Sequence, residues 1–419
     1  VIRRALALLV TLLVAGCARL ADAPAEPAQG TGVGPITLAI GRDTTSYLKP
    51  LLDRWNRARP AERVTLLELP EAADEQRAQM VANLQARSDV YDVLGLDVVW
   101  TAEFAEAGWI VPLDRSLFPL DKMLSGVVDT AIYRGKLWAV PYLSNAGLLY
   151  YRSDLLEKEG LKPPRTWEEL REQAKLLSAE YGIGGYAGQF LPYEGLTVNF
   201  TEAVASAGGS ILSPDARRVT MDFDSASAAL GFLVDGVKEG WIPREALTYK
   251  EEESRLAFQE GRLAFARNWP HAYGPATRSE LAGRFGVTRL PGPDGPGSST
   301  LGGTNLAISA YSKHQKSALD FIRFFTGYEI QRLVLTEGSF PPVLAELYED
   351  PELIKRFPYL PVLKEAILTA RPRPVTANYN QVSLVISSAV SDALNLTKSV
   401  DETIADLKRE LGEVIQLGG

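Results

Sequence analysis

At 419 residues the chain exceeds one typical domain, and length alone points to two or three folded units. Hydrophobic residues make up 46% and charged residues 23%, which supports a sizeable core and argues against global disorder. The formal net charge is -8 and no long basic run occurs, so nucleic acid is not an expected partner, because phosphate contacts need clustered Lys and Arg.

The single cysteine, Cys17, has no second thiol for an intramolecular disulfide. Two histidines, His271 and His314, are too few for the usual catalytic zinc site, and neither sits in a motif that supports a Ser-His-Asp hydrolase. No metal and no cofactor is expected.

Arg3 and Arg4 precede an apolar run from Ala5 to Ala15, the n-region and h-region of an export signal. The run is too short to span a bilayer comfortably as a mature helix. It ends Leu13-Val14-Ala15-Gly16-Cys17, which resembles a bacterial lipobox, where the peptide is cut before the cysteine and the thiol carries diacylglycerol. The alternative is a plain secretory signal with a chance cysteine. On the lipobox reading, 1–16 is a lipoprotein signal peptide. Residues 17–35, rich in Ala, Pro and Gly, form a lipid-anchored flexible tether. Val1 fits initiation at a non-ATG codon, as in bacteria.

Strands and amphipathic helices then alternate. Residues 36–40 read as a buried strand. Leu48, Leu51, Leu52 and Trp55 at i, i+3, i+4, i+7 give a helix one apolar face. A strand at 64–69, a helix at 73–87 and a strand at 91–96 complete a β-α-β-α-β order that favours a parallel sheet with helices on both faces. Residues 136–142 read as a strand leaving this first unit. A helix opens at Thr166 with Glu169 three residues on, a capping box. Further helices fit 195–207 and 225–239, with Leu230, Leu233, Val234 and Val237 on one stripe. A strand at 261–267, a Gly/Pro/Ser-rich loop at 291–303 and a strand at 304–309 follow. Helices at 316–326 and after Gly327 carry the capping-box patterns Ser312-x-x-Gln315 and Thr326-x-x-Glu329. A long terminal helix turns Ile404, Leu407, Leu411 and Val414 inward.

Four stretches carry a family resemblance. They are Asp92 to Trp100 (DVLGLDVVW) with Gly108-Trp109, Pro141 to Arg152 (PYLSNAGLLYYR), Tyr193 to Thr197 (YEGLT), and Phe265 to Pro270 (FARNWP). In this order the chain resembles family 1 extracellular solute-binding proteins of ABC importers, nearest the maltose- and trehalose-binding lipoproteins. The resemblance implies a two-lobed α/β periplasmic-binding-protein fold of type II kind, each lobe a sheet flanked by helices, with the ligand cleft between lobes. It places lobe 1 at 36–144 plus 270–325 and lobe 2 at 145–269 plus 326–419. It implies a binding protein rather than an enzyme, a monomer outside the cytoplasm held at the cell membrane through lipidated Cys17. Its partners would be a small sugar and the permease and ATPase subunits of an importer.

A pyranose offers two faces partly covered by C–H groups and a polar edge. Its site therefore needs a flat aromatic ring and fixed planar hydrogen-bonding groups. Trp269, after a strand and before Pro270, is the expected platform, with a core role as the alternative. Asp97 closes a parallel strand, where ligands bind in open α/β sheets, or else caps the next helix. Asn145 stands in the crossing between lobes, where many relatives carry Asp. Glu194 follows Tyr193 at a helix start, and serves either the ligand or the helix dipole. Asp43 serves either the ligand or a helix cap. The resemblance brings the backbone of Gly303, in the Gly302-Gly303 pair, toward the sugar. It has Thr304 where relatives often carry a second aromatic, so the second platform is either missing or supplied from elsewhere, such as by Tyr193. It also brings Arg373 to the ligand, with Arg371 competing for that role.

Two other functions fit parts of the pattern. A secreted glycoside hydrolase would need a carboxylate pair such as Asp97 and Glu194 flanking the scissile bond. The same clamp could also take a peptide, polyamine or metal complex.

Overall fold

The computed structural model describes residues 31–417. The signal peptide expected at 1–16, the lipidation site Cys17 and the tether up to residue 30 lie outside the described residues. Within them, no helix is long and apolar enough to cross a membrane.

The first strands and helices follow the hydrophobic pattern. In chain order they are β1 (Ile36–Gly41), α1 (Leu48–Ala58), β2 (Val64–Leu69), α2 (Ala73–Gln85) and β3 (Val93–Asp97). β1 pairs in parallel with both β2 and β3. Leu48, Leu51, Leu52 and Trp55 are all buried on the inner face of α1, which is the stripe the i, i+3, i+4, i+7 spacing requires.

The strand expected at 136–142 is two pieces. After the short β4 (Ile132–Tyr133), β5 (Lys136–Leu137) closes a hairpin with it. The chain then enters a separate strand, β6 (Val140–Ala146). One residue later β7 (Leu148–Tyr151) starts a second sheet, so Gly147 is the crossing point between lobes.

That sheet has four strands in the order β10-β7-β9-β8, with β8 (Gly184–Ala187), β9 (Leu263–Asn268) and β10 (Gly286–Thr288). The helices on it are α3 (Trp167–Tyr181), α4 (Glu194–Ser206), α5 (Phe223–Glu239) and α6 (Glu251–Gln259). The capping box at the start of α3 is present in both directions, Thr166 to Glu169 and back. Gly182 ends the helix with φ 66°, a left-handed stop that favours glycine.

The chain returns to the first sheet in β11 (Thr300–Ile308), which is longer than the strand expected at 304–309. The glycine pair, read as loop because glycine weakens strands, lies inside it. β11 runs antiparallel between β3 and β6, and pairing with Asn145 and Ser144 of β6 holds Gly302 and Gly303 in the sheet. Gly303 sits at φ 138°, where a Cβ would lie 2.2 Å from the Leu143 carbonyl oxygen, so the irregular register there needs glycine. With β12 (Arg371–Pro372) on its far edge the first sheet has six strands. It is mixed rather than parallel, because β11 enters against its neighbours.

α7 (Gln315–Phe325) and α8 (Tyr328–Gly338) form without the two expected capping boxes. Ser312 Oγ donates instead to Asp92 Oδ1 (2.5 Å), and Thr326 Oγ1 turns back to the Ile322 carbonyl (2.8 Å). Tertiary and within-helix partners outcompete the local caps.

The lobes interleave differently from the expected division at 270–325 and 326–419. β10 pairs with β7 and belongs to the second sheet. α8 stays with the first sheet, since Gln331 bonds the Tyr142 carbonyl (3.0 Å) and the Val343 amide (2.8 Å). Only α9 (Tyr379–Leu394) and α10 (Val400–Leu417) return to pack on α4 and α5. The molecule is thus a two-lobed α/β periplasmic-binding fold, each lobe a sheet flanked by helices, with a cavity between them.

Candidate functional site

The cavity has a volume of about 210 Å³ and is lined from both lobes. From the first lobe come Asp43 just past β1, Asp97 at the end of β3, Asn145 on β6 and Gly302 to Thr304 on β11. Register explains this grouping: Thr304 lies opposite Asp97, and Gly302 opposite Asn145. Three adjacent strands therefore present their ends at one place, as ligand sites in open α/β sheets require. From the second lobe come Glu194, the first residue of α4, and Trp269, the residue after β9.

Of the eight positions expected from sequence, Asp43, Asp97, Asn145, Glu194, Trp269, Gly303 and Arg373 line this cavity. Tyr193 does not. It is buried, and its hydroxyl donates to Glu251 Oε2 (2.6 Å). Arg371, the competitor of Arg373, is exposed on β12 and lines not this cavity but a second one of about 710 Å³, which Arg373 also borders.

Arg373 is the electrostatic centre. Its side chain is 1% exposed and bridges the lobes: Nη2 donates to Asp97 Oδ1 (2.8 Å) and Nη1 to Glu194 Oε1. Tyr379 Oη and Ser383 Oγ also donate to Glu194, at Oε1 and Oε2. Burial pushes the Glu194 carboxyl above the usual carboxylate range, by more than Arg373 beside it pulls it down, and Asp97 adds to the rise. Burial works against the charge on Arg373 too, but Asp97, Tyr379 and Glu194 together hold the guanidinium firmly protonated. Two buried atoms in this group have no hydrogen-bond partner, Asn145 Oδ1 and Arg373 Nε. Orphans of this kind are uncommon in folded proteins and mark where a ligand or water bonds.

The cap readings and the cavity readings coexist. Asp97 Oδ1 accepts from the Val99 amide (3.1 Å) while also holding Arg373. Asp43 accepts from the Thr45 and Leu48 amides (3.0 and 2.7 Å), so both its oxygens are engaged at the approach to α1. Trp269 is half-buried. Its carbonyl accepts from Tyr150 Oη (2.9 Å), its amide donates to Asn268 Oδ1 (2.8 Å), and Pro270 follows. A Cβ on Gly302 would lie 3.0 Å from the indole ring, so glycine there lets the ring approach the sheet.

Sequence reasoning missed Tyr47, Trp100, Phe340, Arg42, Gln76 and Glu251 in the lining. Trp100 ends the first motif stretch and could have been found there. Tyr47 and Phe340 pack together with ring centroids 4.8 Å apart across 293 positions of sequence, and no local pattern signals that contact.

The profile of bacterial extracellular solute-binding proteins matches residues 41–332. The chain belongs to this family. The binding protein is 34% identical over 397 residues to a probable ABC transporter-binding protein of Deinococcus radiodurans, covering 90% of this chain and 94% of that one. A mannitol-binding protein of Pseudomonas aeruginosa is 24% identical, covering 82% and 84%. Among solved structures, maltose-bound MalE3 of T. maritima superposes with a TM-score of 0.86 at 35% identity, covering 91% of this chain and 99% of that one.

On α6 of the binding protein, next to the cavity residue Glu251, Glu252 is chelated by Arg255 Nε (2.9 Å to each oxygen) and lies 3.8 Å from His271 Nε2. Partial burial raises its carboxyl, but the nearby His271 imidazole and the Arg255 fork outweigh this and lower it from 4.5 to about 2. A depressed carboxylate stabilises the folded state above its unfolded value, and that contribution fades as pH falls. Glu252→Gln should therefore be less stable than wild type at pH 6. The gap should close as pH drops from 4.5 toward about 2, read from urea midpoints across a pH series. A gap that persists at the acid end would assign the effect to packing.

Proposed function

We propose that this chain is the substrate-binding lipoprotein of an ABC sugar importer, closing its lobes on an uncharged disaccharide or short oligosaccharide of the trehalose or maltose type. The observation that carries the reading is one inter-lobe cavity holding an indole, a glycine-edged strand, an amide and four carboxylates. These are the groups a pyranose face and its hydroxyls use. Asp43, Asp97, Asn145, Glu194, Trp269, Gly303 and Arg373 are the proposed ligand contacts. The maltose in the 35% identical structure supports a sugar as ligand.

Charge supports the same choice. The charged residues lining the cavity are Arg42 and Arg373 against Asp43, Asp97, Glu194 and Glu251. A carboxylate excess repels a phosphate ester, the ligand named for a sn-glycerol-3-phosphate-binding relative of Brucella abortus at 27% identity. The hydrolytic reading is disfavoured because Asp97 and Glu194 are tied to one arginine, and neither is free to act as acid or nucleophile.

In this mechanism the ligand stacks on Trp269, bonds Asn145 and the carboxylates, and by touching both lobes favours the closed state. The lobes divide as roughly 36–146 with most of 300–372, and 148–268 with 286–288 and 379–417. The closed form docks the permease and ATPase complex from outside the cytoplasm, where an acylated Cys17 holds the protein at the membrane. Cys17→Ser should release the chain from the membrane fraction.

Calorimetry with trehalose, maltose, sucrose, maltotriose, mannitol and sn-glycerol-3-phosphate tests the ligand class. Tight binding of a neutral di- or trisaccharide, with none of the phosphate ester, is expected. At a hundredfold excess over Kd the bound sugar should stabilise the fold by about 2.7 kcal/mol. Binding only of the phosphate ester, or only of a peptide or amine added to the panel, would overturn the reading. Mannitol alone would keep the clamp and change the ligand to a polyol.

A further inference from the structure

Behind the indole lies a buried ion pair that the ligand cavity does not include. Arg267 on β9 and Glu202 on α4 have side chains 1% and 4% exposed. Arg267 Nε and Nη2 donate to Glu202 Oε2 and Oε1 at 2.8 and 2.6 Å, a planar fork, and Nη1 donates to Gln189 Oε1 at 2.8 Å. The guanidinium carbon lies 4.0 Å from the centroid of the Trp269 ring. One end of the pair therefore rests on the proposed sugar platform.

The other end rests on the hinge. Glu202 Oε1 also accepts from Ser299 Oγ (3.0 Å) and the Thr300 amide (3.2 Å). These residues bring the chain back into the first sheet. Ser299 Oγ in turn accepts from the Gly147 amide (2.5 Å), at the crossing between β6 and β7. The contact is so close that a Cβ on Gly147 would lie 2.5 Å from Glu202 Oε1 and 2.6 Å from Arg267 Nη2. A pair serving stability alone has no need to meet the platform and two inter-lobe crossings at once.

We propose that Arg267 and Glu202 are positioning residues that couple the angle of the Trp269 ring to the setting of the hinge. A bidentate pair in a low-dielectric interior is stiff, because each charge loses its compensation if the fork opens. A rotation of the crossing segments moves Glu202, Glu202 carries Arg267, and the guanidinium turns the ring stacked on it. The ring then reaches its sugar-stacking angle only at the hinge setting that closes the cleft. The inference rests on the sugar-binding reading above and adds to it two residues that touch no ligand.

A double-mutant cycle on sugar affinity tests it. Glu202 neither lines the cavity nor stacks on the indole, so a purely structural role predicts the same loss whether or not Trp269 is present. Coupling predicts that Glu202→Gln weakens sugar binding about tenfold in the wild type but less than about twofold in a Trp269→Ala background. If Glu202→Gln folds poorly, Ser299→Ala replaces it. That change cuts the link from Glu202 to Gly147 and leaves the ion pair and the ring in place, and about threefold weakening with the same loss of effect beside Trp269→Ala is expected. Equal losses in both backgrounds, for either variant, would overturn the coupling. A wild-type protein that binds no carbohydrate would remove its premise, and that result is read from the wild type alone.

Discussion

Trp269→Ala is expected to weaken sugar binding by about 2 kcal/mol or more, a loss of at least ~30-fold, while the protein stays folded. The ring is half-buried, stands at the cavity wall and is followed by Pro270, which fixes the backbone turn that presents it. Truncation removes the one indole that β9 delivers to the cleft and leaves the strand pairing of β9 intact. The other aromatic groups in the lining are not placed to replace it. Tyr47 and Trp100 are 4% exposed and spend their faces on protein neighbours, including Phe340 and Phe104. Calorimetry with the best sugar of the panel reads the effect, with circular dichroism as the check on folding. Affinity unchanged within threefold would remove Trp269 from the site.

Arg373→Ala is expected to cost about 3–5 kcal/mol in stability, because it strips the shared cation from two carboxylates in a largely dry place. Glu194 is the more exposed to that loss, in the energetic sense. Its side chain is only 7% accessible, and its carboxyl is already displaced upward by burial with the guanidinium present. Glu194→Gln in the Arg373→Ala background should recover part of the loss by removing the stranded charge, with the amide oxygen accepting from one of the two hydroxyls of Tyr379 and Ser383 and the NH2 donating to the other. Arg373→Lys should not rescue fully, since one ammonium cannot reproduce a planar fork that meets Asp97 and Glu194 from opposite lobes. Urea denaturation measures the series. A midpoint for Arg373→Ala within about 1 kcal/mol of wild type would show that the bridge carries little of the contact between lobes.

The same residues explain why the site was only partly readable in advance. Asp97, Glu194 and Trp269 each stand at the end of an element whose limits the local pattern fixes, so their place at the cleft follows from topology once strands and helices are known. Tyr193 lies outside the cavity lining, and the partner that holds its hydroxyl, Glu251, is 58 positions away, which no local pattern signals. Arg371 lies on the short strand β12 and Arg373 just past its end. Only the pairing of Arg371 with Thr300 decides which of them turns toward the carboxylates. The glycine pair looked like loop because strand propensity is a weak prior, and pairing with β6 overrode it.

The sequence by itself determined the alternation of buried strands with one-sided helices, the α3 capping box and the family, because each of these is written in spacings of a few residues. The tertiary structure alone decided the mixed first sheet, the place of β10 in the second sheet and of α8 beside the first, and the charge arrangement around Arg373. Its two ion pairs span 276 and 179 positions. Contacts at such separations leave no period in the chain. Their energy depends on burial and geometry that exist only after both lobes have folded and met.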